Sequence, residues 1–420
     1  MRAFIHRSTR LVAALGTALL SIGAWSACSN LLDVEAPQLI EEEVLQQPSN
    51  APVIVAGAVA DFECAFATYI TTMGIVADEF IDSQANAATW DLDRRTNNPA
   101  TGLYVGGTCG GLGIYIPVSV ARYAADNALR LLKGWSDADV PNRTASIARM
   151  AAYSGYGHIL LGEGFCSAAV DLGPEMTPAQ LFAAAEGKFT EAIAAAQSAN
   201  NDSLRFLALV GRARARLNQG KRSEAAADAA LVPNNFQFLA RYTSASTRSE
   251  NRVFRVNNNN GSHTVDSSFR NLRYDGVADP RVPVVDAGRG GSFPVVRLWV
   301  QSKYASLNAA IPIATFREAR LIEAEVAGGQ AAVTLINALH ARAGIPPLTA
   351  ADAADIPTTI QEERRRELFL ESHRLYDTIR FSQPLRPAAG VAFPNGGGTY
   401  GNQKCLPLPD VERINNPNIG

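Results

Sequence analysis

Between Ile360 and Phe381 the chain reads IQEERRRELFLESHRLYDTIRF. From Gln361 to Leu375 nearly every residue is a good helix former, and neither Gly nor Pro interrupts the run. Glu363, Glu367 and Glu371 recur at four-residue steps and so share a helix face. Arg374, Asp377 and Arg380 continue at three-residue steps with alternating sign. Helical spacing predicts the pairs Arg364–Glu367, Glu371–Arg374 and Arg374–Asp377. Ile360, Leu368, Leu375 and Ile379 supply apolar positions beside that row. From spacing alone the expected environment is a solvated charged face, where each pair contributes roughly 0–1 kcal/mol.

The order of these residues resembles the C-terminal signature of the SusD/RagB family of outer-membrane nutrient-binding lipoproteins. That signature runs roughly I-x-x-E-R-x-x-E-L-x-x-E-x-x-R-x-x-D-x-x-R. Ile360, Glu363, Arg364, Glu367, Leu368, Glu371, Arg374, Asp377 and Arg380 fall on its positions, with Ser372 a mild departure. The resemblance implies a charged structural strut rather than an active site. It extends to the block around Glu318–Gly344, where Arg320, Glu323, Ala324, Glu325, Asn337, Arg342, Ala343 and Gly344 keep much of the family pattern and His340 replaces an Arg. Asp279-Pro280-Arg281, Lys303-Tyr304 and the closing NQKCLPLPDVERINNPNI are similar to further family segments, as is Leu31-Leu32-Asp33-Val34 near the start.

The first 27 residues are set apart. Arg2, Arg7 and Arg10 precede the apolar stretch Leu11–Ala24, the pattern of a secretory signal. Trp25-Ser26-Ala27-Cys28 then reads as a bacterial lipobox, with acylation at Cys28; ordinary secretory cleavage near Ala27 is the competing reading. Two or three acyl chains, each buried methylene contributing about 0.8 kcal/mol, would hold the chain to a bilayer. Residues 28–50 are then a lipidated tether. Beyond residue 27 the chain carries 35 Lys+Arg (38 less those three) against 40 Asp+Glu. That balance leaves no electrostatic footprint for nucleic acid. Four cysteines remain after Cys28: Cys64, Cys109, Cys166 and Cys405. In an exported chain they suggest two disulfides. Three pairings are possible, and Cys64–Cys109 with Cys166–Cys405 is the one we expect.

Helical periodicity recurs along the rest. It covers Ala51–Asp82, Ile116–Trp135, Arg143–Gly162 and a helix opened by Thr177-Pro178 that runs to about Gln197. Leu204–Leu231 reads as helix, Gly220 turn, short helix, a partial tetratricopeptide unit. Glu318–Gly344 repeats the design around Gly328-Gly329 and stops at Gly344. Two stretches break the pattern: a long loop from Ser83 to Gly113, and an insert from Arg252 to Lys303 with short β-type runs. The expected fold is mainly α: a single SusD-like domain over residues 51–420, built of tetratricopeptide-type helix pairs with a loop-rich face and a few short strands.

Neither a zincin H-E-x-x-H, a nucleophile-elbow G-x-S-x-G, a P-loop nor a dinucleotide fingerprint occurs. His158 and His340 sit on helices with apolar neighbours and read as packed or surface residues rather than ligands. No metal or cofactor is expected, and no catalytic residue. What remains is binding, where flat aromatic faces and planar polar side chains would hold a sugar. Trp90, Tyr104, Trp299 and Tyr304 lie in predicted loops and are the candidate ligand residues, each also able to pack a loop onto the frame. The resemblance implies an outer-membrane lipoprotein that captures an oligosaccharide or peptide and delivers it to a TonB-dependent, SusC-like transporter. Two other classes compete: a tetratricopeptide-type envelope scaffold, and a periplasmic glycoside hydrolase using Glu367 and Glu371.

Overall fold

The computed structural model describes residues 42–111 and 113–419. The signal segment, Cys28 and most of the tether lie outside them. Residues 42–47 hold one helical turn, Glu42–Leu45; everything that follows belongs to the body that starts at Pro48.

Eight helices form the frame: α1 (Ala51–Val76), α2 (Tyr115–Gly134), α3 (Arg143–Gly164), α4 (Pro178–Ser198), α5 (Asp202–Asn218), α6 (Arg222–Ala230), α7 (Phe316–Ala327) and α8 (Gly329–Ala343). Each packs on the next in chain order, including α6 on α7 across the intervening insert. Local chemistry fixes their ends. Thr177 and Gln180 make a reciprocal capping box before α4. Thr315 caps α7 through the Glu318 amide, and Gly344, in the left-handed region at φ 71°, stops α8. Helix α1 is shorter than the sequence suggests. Asp78 turns left-handed (φ 68°), and Phe80–Asp82 becomes a strand rather than a last helical turn. By length and apolarity α1 could cross a membrane, yet from Phe62 onward almost all of it is buried in the protein core.

Small residues let the helices approach closely. Phe189 of α4 is fully buried between Gly155 of α3 and Gly211 of α5. A methyl at Gly211 would sit 2.3 Å from its ring, and one at Gly155 would sit 2.8 Å from the ring. The ring therefore cannot retreat from one glycine without meeting the other. Gly211→Ala should destabilise the fold by about 1–3 kcal/mol, the usual range for overpacking. Urea unfolding checks this, and an unchanged midpoint would mean that the three helices can spread.

The strands are short: β1 (Phe80–Asp82), β2 (Gln237–Ala240), β3 (His263–Val265), β4 (Arg273–Tyr274), β5 (Val277–Ala278), β6 (Val284–Gly290), β7 (Arg297–Gln301) and β8 (Ile311–Thr315). They pair antiparallel as β1–β3, β2–β8, β4–β5 and β6–β7. Disulfides join Cys64 to Cys109 and Cys166 to Cys405. The first ties α1 to the Ser83–Gly113 loop; the second ties the tail to the end of α3.

The stretch from Ile360 to Phe381 departs from expectation twice. It is not one helix but α9 (Ile356–Glu367) and α10 (Arg374–Arg380), separated by a turn with Leu370 and Ser372 left-handed. Tertiary partners take the backbone groups that a continuous helix would use. Glu79 accepts from the Leu370 amide, Tyr304 donates to the Leu370 carbonyl, and Lys303 donates to the Phe369 carbonyl. The charges are also buried rather than solvated: Glu363, Arg364, Glu367, Glu371 and Asp377 are each less than a tenth exposed. None of the three predicted local pairs forms among the described residues. The partners come instead from afar. Arg364 reaches Asp377 across the break (2.8 Å), Arg374 reaches Asp78 at the end of α1 (2.9 Å), and Arg380 reaches Glu325 of α7 (2.7 Å). Glu371 receives Lys303 (2.6 Å) and Arg317 (3.1 Å), while Arg281 bridges Asp279 (2.8 Å) and Glu363 (2.5 Å). Burial opposes ionisation of Glu363, but the His340 hydrogen bond and the Arg281 charge outweigh it and hold the carboxyl below the usual range. The strut thus links α1, α7, α8 and the insert.

Candidate ligand-binding cleft

Away from this ionic strut, the loops converge on an open cleft of about 660 Å³. Its walls come from Gln84 after β1, Gly110 and Gly111 of the first long loop, and the segment from Thr247 to His263, with Ser292 closing one side. The local backbone is built for this. Asn251 caps the helical turn Arg252–Phe254 by accepting from the Phe254 amide, and a π-helical turn, Arg255–Asn259, follows. The Asn257 side chain donates to the carbonyls of His263 and Trp299 and so fixes β3 beside β7. Ser83 hydrogen bonds through its hydroxyl to the Gly261 carbonyl, and the Ser292 amide donates to the same oxygen. These bonds set the cleft walls in place before any ligand arrives.

The polar lining is ordered. Glu250 is buried and accepts from Arg255 through both oxygens (2.5 and 2.7 Å). Arg252 donates to the Gly110 carbonyl at 2.6 Å. His263 is 7% exposed, and its Nδ1 is buried with no hydrogen-bond partner. Burial pushes the His263 pKa down to about 4; the Ser262 backbone opposes this in part and the Arg252 charge adds to it, so the ring is neutral near pH 7. The arrangement offers planar donors and acceptors on a rigid concave wall, which suits a polyhydroxylated or otherwise polar ligand.

The four aromatic residues expected in the site are dispersed. Trp90 is half-buried, donates from Nε1 to the carbonyl of Gln84, a cleft residue, and packs on Phe393 at 5.7 Å. Trp299 is half-buried on β7 beneath the Arg270 guanidinium. Tyr104 and Tyr304 are core residues, 0% and 3% exposed, whose hydroxyls donate to the carbonyls of Pro407 and Leu370. Their rings have no face open to a ligand. The cleft residues Gln84, Glu250, Arg252, Arg255 and His263 were not singled out by sequence. The one available signal was the charge cluster Glu250-Asn251-Arg252 with Arg255 at the entry to an irregular insert. Glu367 and Glu371 sit elsewhere, in the strut, bound to Arg317, Arg281 and Lys303.

A second opening of about 570 Å³ lies against the strut, lined by Arg281, Lys303, Phe316, Arg317, Arg342 and Glu367 among others. Three of its four cations are already bound to buried carboxylates.

Residues 318–409 match the model of the SusD family. No curated protein matches the chain at the level of sequence. Solved structures of the SusD superfamily share the fold. A Bacteroides fragilis member aligns over 89% of this chain and 99% of its own, with TM-score 0.68 and 14% identity. One from Bacteroides vulgatus ATCC 8482 aligns over 89% and 98%, with TM-score 0.67 and 16% identity. A laminarin-binding SusD-like protein aligns over 89% and 98%, with TM-score 0.64 and 18% identity.

Proposed function

Starting from a SusD-like chain, with the SusD fold throughout its body and SusD family sequence over residues 318–409, we propose that it is a glycan-capturing lipoprotein of the outer membrane. It holds an oligosaccharide in the loop-side cleft and hands it, unaltered, to a TonB-dependent transporter. The cleft itself carries the reading: a concave wall of planar polar side chains, fixed by hydrogen bonds and mounted on packed helices. Solved relatives of the same fold include the laminarin-binding protein and another described as a SusD-like carbohydrate binding protein, from Bacteroides vulgatus ATCC 8482. The Cys28 lipobox supplies the anchor in this reading, and the transporter supplies the exit.

Titration of the full chain with a panel of oligosaccharides and short peptides tests the capture step. Saturable glycan binding with no change in the glycan's length is the expected result. A panel that is bound nowhere, or is shortened by the protein alone, rejects it. The delivery step is tested separately, by isolating the chain from outer membranes with mild detergent. A large β-barrel should co-purify, and a chain recovered alone and free of fatty acid would remove both anchor and partner.

A further inference from the structure

We infer that the cleft selects a glycan bearing an anionic group, a carboxylate or a sulfate ester, seated against Arg252. This rests on the glycan-binding reading above and narrows it. The cleft wall holds two guanidiniums, Arg252 and Arg255, and one carboxylate, Glu250. Glu250 is already bound to Arg255 through both oxygens (2.5 and 2.7 Å). Arg252 is left with the Gly110 carbonyl and with no ion pair among the described residues.

Several other enclosed guanidiniums find carboxylates: Arg214 pairs with Glu163, Arg281 with Asp279, Arg364 with Asp377 and Arg380 with Glu325; Arg95 and Arg270 instead donate to backbone carbonyls. Of these two and Arg252, all without an ion pair among the described residues, Arg252 is the one that lines the cleft. Burial works against its charge; the Glu250 charge offsets this only in part, and the neighbouring Arg255 charge adds to the burial effect. Arg289 packs against Gly261, between the cleft residues Asn260 and Ser262, and it too has no ion pair among the described residues. A concave wall with excess positive charge focuses its field on the opening. The guanidinium fork matches the paired oxygens of a carboxylate or a sulfate.

His263 adds a second, separate indication. Its Nδ1 is buried without a partner, in a residue that lines the same cleft. A buried polar atom left unsatisfied is costly, and a ligand hydroxyl would relieve that cost. A neutral imidazole there can meet a sugar hydroxyl as donor or acceptor without adding charge. The wall therefore offers one cationic position and one neutral position, which fits a sugar carrying both an acid group and hydroxyls.

The experiment titrates the full chain and Arg252→Gln with three probes: an unsulfated oligogalacturonate, a sulfated neutral oligosaccharide and an unmodified β-glucan oligosaccharide. Each is measured at low and at about 1 M ionic strength, where the screening length shrinks to about 3 Å. At least one anionic probe should bind about tenfold or more tighter than the neutral one, and R252Q should erase that margin. High salt should erase it in the parent chain as well, a readout that does not depend on the variant folding. The two anionic arms decide between carboxylate and sulfate. If the β-glucan binds as tightly as both anionic probes, or if salt leaves the preference unchanged, the inference falls while glycan capture stands. If no glycan of any class binds, both fall.

Discussion

Replacing Arg281 by Leu should cost about 3–5 kcal/mol of folding stability near pH 8, the range for breaking a buried ion pair from one side. The substitution keeps an apolar side chain in place and removes the charge. Arg281 is 5% exposed and satisfies two carboxylates: Asp279 through Nε and Nη2 (3.0 and 2.8 Å), and Glu363 through Nη1 (2.5 Å). Without it Asp279 keeps Arg366 and Glu363 keeps His340, each at reduced compensation. A surface pair provides the contrast. Removing Asp202, which is 75% exposed beside Arg205, should cost less than about 1 kcal/mol.

The pH dependence separates charge from packing. In the parent chain burial opposes ionisation of Asp279 and Glu363, but Arg281 with its neighbours holds both carboxyls below their ordinary values of 3.8 and 4.5. A depressed carboxylate contributes stability that is present above its unfolded pKa and lost as pH falls through the folded one. In Arg281→Leu burial acts with less opposition, and the two carboxyls shift upward. The deficit of the variant should therefore be largest at pH 7–8 and shrink towards pH 4. Denaturant titrations at both ends test this, and an equal deficit throughout would assign the loss to shape alone.

The strut also marks where sequence reasoning succeeded and where it stopped. The helix pairs were legible because they depend on local chemistry: the Thr177 cap, the Gly220 turn and the Gly344 stop each act within a few residues. The break at Leu368–His373 was not legible. Helix propensity there is high, and what overrides it comes from Glu79, Lys303 and Tyr304, distant in sequence. The same holds for burial. A row of Glu at helical spacing looks alike whether it faces water or Arg281 and Arg317, because spacing carries no information on what packs above it. The cleft was hidden for a related reason. Gln84, Gly110, Arg252 and Ser292 come from four separate segments brought together by β1–β3 pairing and by hydrogen bonds to Gly261. Aromatic content pointed into the loops, yet Tyr104 and Tyr304 serve the core, where their hydroxyls meet backbone carbonyls.

Converting Cys166 and Cys405 together to Ser should lower stability by up to about 5 kcal/mol, since the bridge closes a loop of sequence separation 239. The Cys64–Cys109 bridge, with separation 45, should contribute about 4 kcal/mol on the same chain-entropy argument. The longer bridge also has a local role. Beside it the Cys166 amide donates to the Leu406 carbonyl and the Leu406 amide to the Gly164 carbonyl, so the tail lies along the exit of α3. From there the tail straps the loops: Asp410 donates its amide to Pro99, Asn416 donates its side chain to Gly173, and Arg413 pairs with Glu175. Gln403 grips the Asn97 amide in turn, and Arg95 donates to the carbonyls of Arg386 and Gly401. The first long loop is thus held by the tail, and the tail by the disulfide. Loss of the bridge should loosen residues 386–419 before the helices melt. Limited proteolysis should then cut the double variant within that segment while α1–α8 stay protected. Equal resistance in parent and variant, with an unchanged melting temperature, would mean that the hydrogen bonds alone hold the strap.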